Sequence, residues 1–198
     1  TNPPTDPGIN QLMDDSEAFV REIMTNRGSV APQFVLRIGQ AMVPILAEFQ
    51  DTRSKNNTVA LVRLMTTVLN PQSVSFVAES WMSQAASEAD ARSTPPSQSP
   101  DRKEAVVVQV STPIDERMRL LLIERDENGG YAHLNQMGED ESGASGRFSN
   151  IYPDRPPSPE EHATAREILE QCIGTEAVAD LMQDRKSTRL NSSHYRTS

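Results

Sequence analysis

Apolar side chains recur at helical spacing near the start of the chain and then switch to alternation. A first helix is predicted over about Asn10–Asn26. One face of this helix, mostly apolar, is formed by Ile9, Leu12, Ser16, Phe19, Val20 and Ile23. The period then becomes two, and Gly39-Gln40 is a Gly-X pair of the kind found in two-residue hairpin turns. We therefore predict a hairpin with strands at about 33–38 and 41–46, in which Pro44 favours an edge position or an early end of the second strand.

A second helix and a long strand follow the hairpin. The helix is predicted over about Lys55–Leu69, with Thr52 and Ser54 as candidate caps, and it ends at Asn70-Pro71 because a residue before proline avoids the helical region. Ser73–Met82 reads as a strand and carries the only tryptophan of the chain. Its apolar residues fall on both faces, which is typical of a strand that is central in a sheet or covered on both sides.

The middle of the chain combines a linker with further strands. Residues 83–102 are rich in Ser and Pro and predict a flexible insertion. Two apolar strands are predicted at Ala105–Val110 and Arg117–Arg125, and Tyr131–Leu134 predicts a short additional strand. A loop rich in Gly, Ser and Glu at 135–147 is expected to be mobile.

The last part of the chain starts a helix with strong local signals. After a Pro-rich bridge from residue 153, Ser158-Pro159-Glu160-Glu161 combines a capping box with proline at the first helical position. This helix is expected to end at Gly174 and to bury Cys172 on its apolar face as a small core residue. Thr175–Met182 predicts the start of one more helical segment.

These elements predict an α+β fold with the order α-β-β-α-β-β-β-α, a single antiparallel or mixed sheet of about five strands, and three helices. The predicted domain covers residues 9–152 after a disordered lead-in at 1–8, and the bridge and C-terminal helix occupy 153–183. The same order resembles roadblock/longin and profilin-like domains, and loosely PAS and GAF sensors. That resemblance is one of element order only, and such folds host many functions.

Residues 184–198 do not fit the rest of the chain. Asp184–His194 resembles the translation, in one reading frame, of a common short-read sequencing adapter, so we expect an artefactual tail and a natural sequence that is truncated near Gln183. Without this tail the chain has 15 basic and 27 acidic side chains, and its net charge changes from −9 to −12. The basic tail is therefore not interpreted as a nucleic-acid patch.

Composition limits the possible partners. An acidic chain argues against a phosphate-backbone partner, and the absence of a long apolar run argues against a membrane span. A single cysteine is compatible with a cytoplasmic location. No phosphate loop, dinucleotide motif, nucleophile elbow or metal-ligand spacing is present, and no cofactor is predicted.

Four segments resemble a known family when they are taken together: Phe76–Met82, Pro96–Glu104, Arg125–Gly129 and Gly146–Phe148. They are similar to an uncharacterised family of small bacterial and phage-associated proteins, and the resemblance covers most of residues 10–150. It implies that Pro96–Glu104 is an ordered part of the insertion, and it implies no activity.

One group of polar residues is a candidate site. If the strand at Ala105–Val110 pairs with Ser73–Met82, then Glu79, Trp81, Arg102 and Glu104 meet at one end of the sheet and could form a rim for a ligand or partner. The alternative, which we favour, is structural: an Arg–Glu pair that caps the sheet, with Arg102 stacked on Trp81.

The sequence favours a non-enzymatic protein-binding or assembly module, in which the hairpin edge or a helix binds a protein partner or forms a homodimer. A sensor-like domain with a small ligand between sheet and helix is the first alternative. A hydrolase is the second, and it requires Glu79 to be buried beside a cleft.

Overall fold

The computed structural model describes residues 8–47, 49–83, 95–142 and 148–194, without the side chains of residues 96, 142 and 187–194. The predicted lead-in at 1–8, insertion at 83–102 and mobile loop at 135–147 therefore lie wholly or partly outside the described residues. Of the predicted tail, residues 195–198 lie outside them.

The described residues form four α-helices, seven strands and one short 3₁₀ helix at Pro96–Gln98. The helices are α1 (Ile9–Arg27), α2 (Thr52–Leu69), α3 (Pro159–Ile173) and α4 (Thr175–His194). The strands are β1 (Gln33–Ile38), β2 (Ala41–Leu46), β3 (Ser73–Met82), β4 (Lys103–Ser111), β5 (Glu116–Arg125), β6 (Tyr131–Gln136) and β7 (Glu141–Ser142).

All seven strands belong to one antiparallel sheet with the order β2-β1-β3-β4-β5-β6, and the two-residue β7 pairs with β5. The α+β class, the hairpin and the pairing of β3 with β4 are confirmed. The counts of about five strands and three helices were too low. β7 resumes the pairing with β5 after a break at 137–140. The helical segment whose start was predicted at Thr175–Met182 is a complete helix, α4, that continues through residue 194.

Helices cover the two faces of the sheet unequally. On one face α1 packs across β3, β4, β5 and β6, and its fully buried Met13, Val20 and Met24 lie against valines such as Val77 and Val108. On the opposite face α2, α3 and α4 share a core with β1 and β3. β3 is therefore covered on both sides, as its double-sided apolar pattern predicts.

Local chemistry explains where the early elements begin and end. Gly39 has φ 63°, the left-handed conformation required at the first central position of a two-residue hairpin turn. Asp51, not Thr52 or Ser54, caps α2: its carboxylate accepts from the Ser54 backbone N–H at 2.7 Å, and the Ser54 hydroxyl bonds the Asp51 N–H in return. This reciprocal box satisfies two amides that the helix leaves unpaired.

The aromatic residues tie the segment before α3 to the sheet. The Phe148 ring stacks on Phe76 with centroids 4.2 Å apart, and Phe34 and Phe49 pack around the pair. Four residues later, the Tyr152 hydroxyl donates to the Pro71 carbonyl at 3.0 Å. Burial of this phenol raises its pKa, because the anion would lose its hydration.

The expected burial of Cys172 was wrong. In α3 the buried residues Ala165 and Leu169 are spaced by four, and Ile173 continues that row against the core. Ile168 and Cys172, one position earlier in each turn, are exposed. The thiol therefore lies at the surface because the buried stripe follows i, i+4 spacing rather than i, i+3.

A buried arginine joins α1 to the interrupted edge of the sheet. The side chain of Arg119 in β5 is only 10% exposed, and its guanidinium contacts the carboxylates of Asp140 at 2.6 Å, Glu17 at 2.5 Å and Asp14 at 2.9 Å. The hydrogen bonds that Arg119 donates to Asp140 hold the pKa of Arg119 well above its usual range. Asp140 reaches this position because residues 137–140 break the edge strand between β6 and β7.

Candidate functional site

The four polar residues singled out from the sequence meet at one end of the sheet, on the face that α1 covers. Trp81 in β3 is directly opposite Glu104 in β4. The Arg102 guanidinium lies over the Trp81 ring, 4.8 Å from its centroid. Glu79 precedes Trp81 by two residues and so projects from the same face. The predicted pairing of β3 with β4 thus brings Glu79, Trp81, Arg102 and Glu104 together.

The ion pair in this rim differs from the expected one. Glu104 binds Arg125 of β5, not Arg102, and this hydrogen bond raises the pKa of Arg125. Arg102 instead donates from Nη1 to the Ser97 carbonyl at 2.8 Å while it stacks on the indole. The strand register explains why Glu104 pairs with Arg125 rather than with Arg102, because Arg125 is a diagonal cross-strand neighbour of Glu104.

The position of Glu79 bears on the hydrolase alternative. Its side chain is exposed, and Oε1 accepts a 2.6 Å hydrogen bond from the backbone N–H of Val30, in the link between α1 and β1. A carboxylate acting as a general acid or base needs burial beside a cleft. Glu79 lacks that burial, and its visible contact positions the end of α1.

Trp81 is the large apolar side chain of the rim, and it remains partly open to solvent. The indole is 41% exposed, and the carboxylates of Glu79 and Glu104 are engaged by groups of the chain itself. What the rim offers is therefore a half-exposed aromatic ring backed by an arginine, which suits an apolar or planar group of a partner. Its role as a ligand or partner rim stays a prediction.

Two concavities of the described surface lie away from this rim. One, of about 410 Å³, lies between the β4–β5 turn and residues 150–154. The other, of about 350 Å³, lies between α2 and α3 and includes Leu64 and Ile168. A sensor-like domain is expected to hold its ligand in an apolar pocket between sheet and helix. Neither concavity has that position.

The described part of the chain also lacks a metal-type cluster. Within the four described ranges, no three His, Cys, Asp or Glu side chains are grouped as a metal ion would require. His133 contacts Glu124 at 3.2 Å, and His162 lies 3.2 Å from the Val68 carbonyl. A search of the same residues finds no helix with the length and apolar character to cross a membrane.

A second surface lies on the edge strand β2, where the sequence predicted an exposed edge but not its side chains. Met42 and Leu46 are 51% and 69% exposed, and Pro44 between them is exposed as well. The three side chains project from one face of the strand, because they alternate with residues that pack on the core. We call these side chains, with the outward peptide groups of the strand, the β2 surface.

The outer side of the β2 backbone has no strand beside it among the described residues. Residues that flank a two-residue turn form a hydrogen-bonded pair, so the odd-numbered residues of β2 direct their peptide groups at β1. The 2.9 Å bond from the Ala47 N–H to the Pro32 carbonyl continues that pattern. The even-numbered residues therefore direct their peptide groups outward, and Pro44 contributes a carbonyl but no N–H.

The β2 surface is also uncharged in a strongly acidic chain. Ala41–Leu46 contains no Asp, Glu, Lys or Arg, although the whole chain has a net charge of −9. The adjacent strand carries one cation, Arg37, and its Nη2 lies 2.9 Å from the Asp15 carboxylate of α1. An exposed apolar edge strand without charged residues is a typical surface for pairing with another chain.

Comparison of the chain with protein-family models, curated proteins and solved structures finds no match. The similarity to roadblock, profilin-like and sensor domains therefore stays one of element order. The resemblance of four short segments to a bacterial and phage-associated family likewise stays a prediction.

Proposed function

We propose that the chain is a non-enzymatic assembly module that binds other protein chains, further copies of itself among them, through the β2 surface. The observation that carries this proposal is the exposure of Met42 and Leu46 on an edge strand whose outward peptide groups face no other described strand. Main-chain hydrogen bonds supply affinity in such contacts, and side chains on alternate positions supply specificity.

Charge supports the same surface. Two chains of net charge −9 repel each other over most of their surfaces, whereas the β2 surface brings no charged side chain into contact. Because salt screens the remaining repulsion, association through this surface should strengthen as the salt concentration rises. An interface built on ion pairs would weaken instead.

Sedimentation velocity of the full chain over a wide concentration range tests the proposal. We expect a monomer–dimer equilibrium with a dissociation constant of about 1–100 μM, the range of a modest interface. Met42→Lys with Leu46→Lys should weaken association by roughly tenfold or more, since two desolvated charges would face an apolar partner.

Ile114→Lys is the matched control. Ile114 is 96% exposed in the β4–β5 turn, so this variant also replaces an exposed apolar side chain but leaves the β2 surface intact. It should associate like the unmodified chain. A monomer at every concentration, or equal weakening by the Ile114 variant, would contradict the proposal.

A further inference from the structure

The strand that forms the β2 surface is complementary to itself. We infer that the partner is a second copy of this chain, added antiparallel along β2 about a two-fold axis at Pro44, so that the two sheets become continuous. This inference rests on the proposed function and specifies its partner and register. A two-fold axis requires that the same patch meets itself, which is the commonest arrangement of homodimers.

Hydrogen bonding selects the register. With Pro44 opposite Pro44 of the second copy, Met42 faces Leu46 of the second copy, and each of these pairs can form both of its backbone bonds. Only the central pair loses its bonds, because proline has no N–H. Within Ala41–Leu46 this register keeps four interchain bonds, two in each Met42–Leu46 pair. If the strand shifts by two residues in either direction, Pro44 falls opposite Met42 or Leu46, and each of those two pairs keeps one bond, while the third outward residue falls opposite a residue outside the strand. The Pro44-centred register therefore retains the most bonds within the strand.

The side chains fit the same register on both faces of the strand. Met42 lies beside Leu46 of the second copy on the exposed face, and Val43 lies beside Ile45 of the second copy on the core face. Every cross-strand pair is apolar, and no charge is placed opposite a like charge. A strand carrying even one lysine in this segment would bring that charge into the interface twice.

Disulfide trapping tests the register directly. Val43→Cys and Ile45→Cys are made separately in a Cys172→Ser background, because the native thiol is exposed. Residues 43 and 45 of opposite copies would form a non-hydrogen-bonded pair with Cα atoms about 4.5 Å apart, within disulfide range. Like residues would be about 7–8 Å apart, beyond that range. Mild oxidation should therefore cross-link the mixture of the two variants, and neither variant alone.

Pro44→Val provides a test that needs no new thiol. Valine restores the outward N–H in each copy, so two added interchain hydrogen bonds should tighten the dimer by about tenfold or more in sedimentation velocity. A dimer that is held by another surface gains nothing from this change.

The outcomes separate the inference from the proposed function. Cross-linking of the mixture together with tighter association of Pro44→Val supports the register. A dimer that shows no cross-link in the mixture, or that Pro44→Val does not tighten, overturns the register but leaves self-association standing. A monomer at every concentration overturns both.

Discussion

Replacement of Arg119 by methionine should destabilise the fold far more than loss of an ordinary ion pair. Methionine keeps much of the length and the apolar stem of arginine but removes the cation that three carboxylates share. Asp14 is 62% exposed and will be hydrated without Arg119. Glu17 keeps Arg21, whose Nη2 lies 2.6 Å from its carboxylate. The loss of folding stability in Arg119→Met therefore comes mainly from the Asp140 carboxylate, which is left without its cation.

The Asp140 side chain is 14% exposed, and without Arg119 its remaining side-chain donor in the described structure is the amide of Gln136 at 3.2 Å. Removing one partner of a buried ion pair typically costs about 3–5 kcal/mol. Because one weak donor remains, we expect the lower end, about 3 kcal/mol. For a chain of this size that loss lowers Tm by roughly 6–12 °C.

Urea unfolding followed by far-ultraviolet circular dichroism measures this loss. Arg166→Met is the control, since Arg166 pairs with Glu170 at 2.8 Å on the surface of α3, where such a pair contributes about 0.3–0.5 kcal/mol. Adding Asp140→Asn to Arg119→Met should recover part of the stability by removing the unpaired charge. If Arg119→Met and Arg166→Met differ by less than about 1 kcal/mol, the carboxylates are better hydrated than this structure implies and the reasoning fails.

Three further changes probe other parts of the fold. Because burial raises the pKa of Tyr152 in the folded chain, the stability that Tyr152 contributes should be constant below about pH 10 and should be lost as pH rises beyond the unfolded pKa. Tyr152→Phe should reduce this alkaline decline in urea titrations at each pH. Hydrogen bonds from Arg155 and the Ser158 backbone lower the pKa of Glu161 to about 2. The stability that Glu161 contributes to the α3 cap should therefore persist above its unfolded pKa and be lost as pH falls from that value through about 2. Amide exchange of α3 in Glu161→Gln should lack this acid-dependent step. Removal of residues 184–198 should shift Tm by less than about 2 °C if this segment is an appended tail. Val178→Ala, at a buried position of the first turn of α4, should instead cost about 1–3 kcal/mol in the same scan.

Elements with local signals could be predicted almost to the residue. The hairpin strands begin and end where Gly39-Gln40 and the alternation of side chains place them. The double-sided apolar pattern of Ser73–Met82 correctly indicated a strand with neighbours on both sides. These features depend on turn geometry and on the two-residue period, and both are determined by residues that are close together in the sequence.

Features that depend on distant residues could not be predicted. Arg119 looks like an exposed charge, and only the meeting of α1 with the break at 137–140 surrounds it with carboxylates. The candidate rim was predicted as a group because one pairing brought its members together, but the partner of Glu104 came from a third strand. Pro44 indicated an edge, whereas the exposure of Met42 and Leu46 depends on which strand ends the sheet.

The break in the far edge strand, held by Arg119 and Asp140, bears on how large an assembly can become. A sheet with two regular open edges can add copies at both ends and grow into a fibre. Here the edge opposite β2 is divided into β6 and β7 by residues 137–140, so it does not present a continuous row of peptide groups. Pairing along β2 would therefore use the only regular edge in the described part of each copy. The product would be a closed pair, and an intact Arg119 cluster would also protect the chain against polymerisation.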